Sequence, residues 1–187
     1  MAAQKDLYKM TTKELGQLFP IIIEDYSDKW SDLYKEEAKL ITESFSPTEI
    51  VKIDHIGSTA IPGLKAKPTI DILIQVTEQI DTQKLKETFK SLGYLINTHP
   101  ENPAPHLTFV KGYTKQGFKG QVYHVHIRYQ GDWNEIRFRD YLISHKEIAK
   151  EYETLKLEFA KKYQYDREAY TDSKTAWIEK INALTRK

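Results

Sequence analysis

The chain has 187 residues, with 28 lysines and arginines set against 27 aspartates and glutamates and no cysteine. That length suits one domain with a full core, and the charge balance gives no argument for a general surface for polymeric nucleic acid or anionic membrane. Lack of cysteine excludes disulfides, thiol catalysis and Cys-based zinc sites; with no signal-peptide core and no apolar run of about 18 residues, the expectation is a cytoplasmic protein.

Taken in order, Thr12 to Leu18 reads as a short helix before Pro20, and Ser27 or Ser31 caps a longer helix reaching about Phe45. Trp30, Tyr34, Ala38, Ile41 and Phe45 recur at helical spacing, which marks a packing stripe. A strand from Ile50 to Ile56 follows. Val51, Ile53 and His55 share one face and Lys52 and Asp54 the other, so His55 reads as a hydrogen-bonded structural histidine and Asp54 as a spare acid.

The stretch HIGSTAIPGLKAKPTIDILIQV, residues 55 to 76, is the most informative. Gly57 and Ser58 at a strand end let backbone N–H groups approach an anion, because glycine has no Cβ and serine caps the next turn. Phosphate is the expected guest. In the following strand Ile70, Ile72, Ile74 and Val76 alternate with Asp71, Leu73 and Gln75. An acid among β-formers is costly to bury unless a cation or donors meet it. A metal carrying nucleotide phosphates meets that need; an ordinary pairing with Lys65 or Lys67, or a solvated strand face, is the plainer alternative.

Further on, Asp81 caps a helix through Leu85, Phe89 and Leu92 to Gly93. Short strands are expected over Tyr94 to Asn97 and His106 to Lys111, separated by a proline-rich exposed loop, His99 to Pro105, at the mouth of a site. Lys115 to Gly120 reads as a hairpin turn. In the strand Gln121 to Tyr129, Tyr123, Val125, Ile127 and Tyr129 form an apolar face opposite Val122, His124, His126 and Arg128. Two histidines at i and i+2 lie side by side and can grip one metal or phosphate; two satisfied polar residues on a half-exposed face are the alternative.

From Asp132 onward the chain reads as helix, with Ile136 and Tyr141, then Ile148, Tyr152, Leu155 and Phe159, as packing stripes. The last helix starts at Asp166 or at Thr171. Tyr170, Lys174, Trp177, Ile181 and Leu184 follow at helical spacing. Lys174 either snorkels from that stripe or joins Tyr170 in stacking a base and touching a phosphate.

The string HIGSTAIPGLKAKPTIDIL, with HVHI at 124 to 127, FRDYL at 138 to 142 and YTDSK at 170 to 174, resembles the GrpB family, bacterial proteins related to the nucleotidyltransferase superfamily. The resemblance implies an α/β (α+β) fold: one domain over 1–187, a mixed polymerase-beta-like sheet flanked by helices, and a helical C-terminal extension from about 132. It also implies that Gly57 and Ser58 lie at the first strand end beside Asp71, and that Arg139 and Asp140 border the cleft. Active nucleotidyltransferases carry a second acid two residues after the first. Leu73 stands there, which speaks against the usual two-metal chemistry.

Together these readings predict one cleft in which Asp71, His124 and His126 are catalytic residues and ligands for a divalent metal, magnesium or manganese. Gly57, Ser58, Lys65, Lys67, Arg128, Arg139, Tyr170 and Lys174 are the candidate nucleotide or phosphate contacts. Three functions fit: transfer of a nucleotidyl or phosphoryl group from a nucleoside triphosphate to a small acceptor; binding of a nucleotide or coenzyme A precursor without chemistry, as relatives fused to dephospho-CoA kinase imply; and metal-dependent hydrolysis by two histidines and a carboxylate.

Overall fold

A computed structural model describes residues 6–98 and 100–186. Seven α-helices surround one five-stranded sheet among these residues. The strands are β1 (Ile50–Ile56), β2 (Thr69–Val76), β3 (Leu95–Thr98), β4 (Leu107–Thr114) and β5 (Gly117–Tyr129), in the spatial order β1-β2-β5-β4-β3. β2 and β5 run parallel while the other neighbours are antiparallel, so the sheet is mixed, as the resemblance implied.

One face of this sheet is hydrocarbon. Ile70, Ile72, Ile74 and Val76 of β2 join Phe109, Val125 and Ile127 under α2 (Lys29–Glu43) and α3 (Thr82–Ser91), which contribute Trp30, Ile41, Leu85 and Phe89. Phe89 and Phe109 stack with centroids 4.2 Å apart at the centre. Asp81 caps α3 as expected, accepting from the backbone N–H groups of Gln83 and Lys84. Asp28, rather than Ser27 or Ser31, is the N-cap of α2; already helical, it lets backbone turns satisfy the first N–H groups without a side chain.

The opposite face is shared between packing and polar side chains. Over β1 and β2 lie α4 (Asn134–Ser144) and α5 (Lys146–Lys162), where Ile61, Leu64, Leu142, Ala149 and Tyr152 make a second apolar cluster backed by Trp177 of α7 (Thr175–Thr185). Trp133 takes the cap position of α4, because the Asp132 carboxylate pairs with Arg137 instead. Of the two starts read for the last helix, Asp166 is a cap, whereas Thr171 lies inside a helix and the next one begins at Thr175. Asp166 caps α6 (Arg167–Asp172), and a turn at Ser173 and Lys174 separates it from α7.

Strand boundaries differ from expectation at three places, and β4, expected over His106 to Lys111, runs on from Leu107 to Thr114. Tyr94 stays outside β3 because its backbone N–H turns back to the Phe89 carbonyl, 3.0 Å away, while its hydroxyl donates to Glu37 of α2 at 2.8 Å. The hairpin turn is confined to Lys115 and Gln116, since β5 begins at Gly117, whose carbonyl accepts from the Thr114 hydroxyl. The proline-rich loop contributes Glu101 and Asn102 to the wall of a cleft, and His99 lies outside the described residues. No helix among the described residues is long and apolar enough to cross a membrane.

Candidate metal and anion site

Parallel pairing of β2 with β5 sets Asp71 directly beside His124 and Leu73 beside His126. Paired residues on neighbouring strands point to the same face, so the acid and both imidazoles leave the sheet together. His124 Nδ1 lies 3.4 Å and His126 Nε2 3.8 Å from Asp71 Oδ1. The three ligand atoms all fall within 4.8 Å of one another, a spacing one divalent ion can bridge. Burial alone would favour a protonated Asp71, but hydrogen bonds and charge from His124 and His126 hold its carboxyl well below the usual carboxylate range.

Gly57 explains how the carboxylate is seated. With φ at +70°, it adopts a conformation that side chains resist, and a Cβ there would come within 2.4 Å of Asp71 Oδ2. Next to it Ser58 opens a 3₁₀ turn, Ser58–Ala60. His55 faces the core side opposite Ile72, stacks on Tyr34 at 4.7 Å and approaches the Thr59 hydroxyl at 3.0 Å. The Thr59 proton goes to the Thr69 carbonyl, so His55 donates from Nε2 and serves structure, as its position in β1 indicated.

His124 is also gripped from behind. The Tyr113 hydroxyl is 2.7 Å from His124 Nε2, and Arg167 donates to that hydroxyl from 3.1 Å while its other nitrogen donates to the Phe19 carbonyl. Tyr113 reaches this face through a bulge at Gly112, where φ is +93° and the register between β4 and β5 slips. Neither Tyr113 nor Arg167 stood out in the sequence. A glycine inside a strand was the only signal available.

Positive charge collects beside the acid. Lys67 and Lys174 place their ammonium groups 5.4 Å and 3.9 Å from the centroid of the buried Tyr170 ring. Burial, with Arg167 and Lys174 adding repulsion, pushes the Lys67 ammonium down to about 7. Burial likewise lowers Lys174 to about 8, against the pull of Asp71, and Lys156 to about 7, with Lys174 contributing. Lys156, which the α5 stripe concealed, also donates to the Lys65 carbonyl from 2.6 Å. Burial is the main cause of all three shifts, and repulsion among these cations adds to it.

The remaining predicted contacts do not join the lysine group. Lys65 pairs with Asp25 at 2.6 Å. Arg139 ties α4 to β1, donating to the His55 carbonyl at 2.8 Å and flanking Asp54 and Asp140. Asp54 shares the face of Asp71 but pairs in register with Leu73, and its partners are Arg139 and Lys52. Arg128 is buried, bonded to Glu135 at 3.0 Å and set against Trp133, on the wall of a cleft that His124 and His126 also line.

The likeness to known proteins spans most of the chain. The profile of the GrpB protein family matches residues 20–184. The glutamate-rich protein GrpB of Alkalihalophilus pseudofirmus is 36% identical over 174 residues, covering 86% of this chain and 93% of that protein. YqkA of Bacillus subtilis is 36% identical over 157 residues, which are 82% of this chain but 44% of YqkA. The crystal structure of the conserved protein GrpB from Enterococcus faecalis matches with a TM-score of 0.76 at 31% identity, covering 88% of this chain and 96% of that one. With nearly its whole length matched in profile and in fold, the chain belongs to the GrpB family.

Proposed function

We propose that this protein is a metal-dependent transferase that moves a phosphoryl or nucleotidyl group from a nucleoside triphosphate to a small acceptor. The observation that carries the reading is the convergence of Asp71, His124 and His126 within 4.8 Å, with the buried Lys67 and Lys174 gathered over Tyr170 nearby. A divalent ion held by those three residues supplies charge to phosphate oxygens. Two imidazoles in the donor set favour manganese or zinc over magnesium, which prefers oxygen ligands.

The chain's own residues account for the rest. Lys67, Lys174 and Arg167 receive the phosphates, and a polyanion there returns the lysines to full charge, so binding takes up protons near neutral pH. Backbone amides at Ser58 offer further donors, as the Gly57 turn keeps the approach free of side chains. Tyr170 is packed beneath both ammonium groups and fixes their spacing.

A second reading, binding of a nucleotide or coenzyme A precursor without transfer, is favoured by one residue. Leu73, where a second acid would stand, is fully buried at 0% exposure and offers no ligand for a second ion. Calorimetry with ATP in the presence and absence of Mn²⁺, followed by an assay for pyrophosphate or phosphate release with candidate acceptors, separates the two. Transfer predicts Mn²⁺-dependent ATP binding and release that Asp71→Asn abolishes with the melting temperature nearly unchanged. Binding without chemistry predicts heat but no release with any acceptor, and no nucleotide-induced rise in melting temperature at millimolar concentration defeats both.

A further inference from the structure

Two cavities flank the acid and imidazoles on one face of the sheet. Toward the C-terminal ends of β2 and β5, His124, His126 and Arg128 line a cleft of about 650 Å³ walled by α1 (Thr12–Leu18). Toward the N-terminal ends of the same strands lies a pocket of about 210 Å³ that Thr69 and Val122 line. Those two pair in register, and they stand two residues before Asp71 and His124 respectively, so they form the next row on the same face, about 7 Å along the strands. Arg167 lines both cavities. A ligand in the smaller pocket is thus one row from the metal ligands, on the other side of them from anything held in the cleft.

The lining of the smaller pocket specifies what fits. Ile22 and Phe118 are apolar walls left 48% and 42% exposed, and the volume admits only a small molecule. Lys67 and Arg167 bring positive charge to the same space. Arg167 donates to the Phe19 carbonyl and the Tyr113 hydroxyl, both neutral, and the Lys67 ammonium lies over the Tyr170 ring with no hydrogen-bond acceptor among the described residues. The Lys67 nitrogen nevertheless remains in contact with solvent. Glu24 is the one acid of the lining. Pro20, Ile22 and Glu24 line the pocket while Ile21 is buried, the alternation of an extended segment, which sets Glu24 about 13 Å from the Pro20 end where Arg167 holds Phe19. Exposed at that far end, it is screened by water. Apolar walls leading to two cations suit an anion with a hydrocarbon body.

We propose that this pocket is the acceptor subsite and that the acceptor is a small carboxylic acid with an apolar body, bound as its carboxylate. The inference rests on the transfer reading above and names the second substrate. A carboxylate suits the chemistry as well as the charge. It attacks without losing a proton, whereas an alcohol needs a base, and both imidazoles are already committed to Asp71, Tyr113 and the metal. The carboxylate oxygen forms a bond to phosphorus of the nucleoside triphosphate. The bond from that phosphorus to the oxygen of the departing nucleoside diphosphate or pyrophosphate breaks, and its electron pair leaves with that oxygen. The product is an acyl phosphate or an acyl nucleotide, and no proton moves. Lys67 and Arg167, which also face the phosphates, stand between the two anions and offset their repulsion.

Benzoate and its neutral counterpart benzamide serve as probes, titrated by ligand-observed saturation-transfer NMR on the full chain, with Mn²⁺ added afterwards as a relaxation agent. The inference predicts that benzoate binds about tenfold more tightly than benzamide, and that its proton relaxation rises several-fold once Mn²⁺ is bound. Ile22→Glu, which sets a carboxylate in the apolar wall, should weaken benzoate about tenfold, and the milder Ile22→Ala several-fold, with Mn²⁺ binding intact in both. Equal affinity for the two probes, equal benzoate affinity in the original chain and both variants, or no benzoate binding at all overturns the inference; the transfer reading survives any of these if ATP still binds with Mn²⁺. Benzoate binding that Ile22→Glu abolishes but Mn²⁺ never perturbs keeps the carboxylate site and overturns the metal-centred reading it rests on.

Discussion

His124 touches Asp71 through one ring nitrogen and Tyr113 through the other, and this double attachment decides which nitrogen is free for a metal. Arg167 only donates, so with no metal bound the Tyr113 oxygen accepts from Arg167 and its proton points to His124 Nε2, leaving Nδ1–H for Asp71. A metal on Nδ1 requires the reverse tautomer, with Nε2–H donating to Tyr113. Tyr113→Phe removes that partner while keeping the ring contacts with Phe19 and Phe118. Mn²⁺ affinity, measured by calorimetry, should fall about 10- to 100-fold with stability reduced by only about 1 kcal/mol; an unchanged affinity contradicts the role given to Tyr113.

His55 makes a separate prediction, because it is titratable and neutral in the fold. Burial, aided by Arg139 and opposed by Asp71, pushes its imidazole down to about 4 from an ordinary 6.5. Between those values the unfolded chain binds more protons than the folded one, so stability rises with pH through this window. The contribution is complete above pH 6.5 and is lost as pH falls toward 4, by at most about 3 kcal/mol. Urea midpoints of the original chain and of His55→Gln at pH 7 and pH 4.5 check this; the variant should lose distinctly less on acidification.

At the scale of elements, the site depends on where alternation holds and where it is broken. The period-two pattern in β2 and β5 was legible because one face of each is a run of isoleucine, valine and tyrosine, and it correctly put Asp71, His124 and His126 on one side of their strands. What the pattern lacked was register, since one residue of slip between parallel strands would have separated the acid from the imidazoles. β4 shows the limit. Strict alternation would put Tyr113 on the core face with Phe109 and Lys111, but the slip between Lys111 and Tyr113 turns it toward His124. Lys156 was hidden for a related reason, because an apolar helical stripe gives no sign that its neighbour is drawn inward by a backbone carbonyl 91 positions away.

Gly112 carries that break in β4. Its φ of +93° and a would-be Cβ only 2.7 Å from the Gln121 carbonyl oxygen leave no room for a side chain. Gly112→Ala should destabilise the fold by roughly 1–3 kcal/mol in urea titrations. It should also weaken Mn²⁺ binding to the level of Tyr113→Phe, because both lose the same contact to His124; a variant with the original midpoint and affinity would show that the bulge does not aim Tyr113.

Across the whole molecule, the sheet divides labour between its faces. The side under α2 and α3 is closed by hydrocarbon and supplies most of the burial, which frees the other side to hold charge. There α4 and α5 carry an apolar cluster whose Tyr152 ring lies under Lys156, while Lys67 and Lys174 sit over Tyr170 of α6. Beyond the histidines the covering stops and the cleft begins. The helical C-terminal region foreseen from periodicity is therefore more than a support, because Arg167, Tyr170 and Lys174 all come from it.

Mn²⁺ titration followed by electron paramagnetic resonance tests the shared acid and imidazole centre most directly, since free and bound ion give distinct signals. The account predicts one bound ion per chain, removed by EDTA, and lost on Asp71→Asn and on the double change His124→Gln with His126→Gln, each variant remaining folded by circular dichroism. Mn²⁺ bound with equal affinity and stoichiometry by those variants, or by none of the proteins including the unaltered chain, would contradict it.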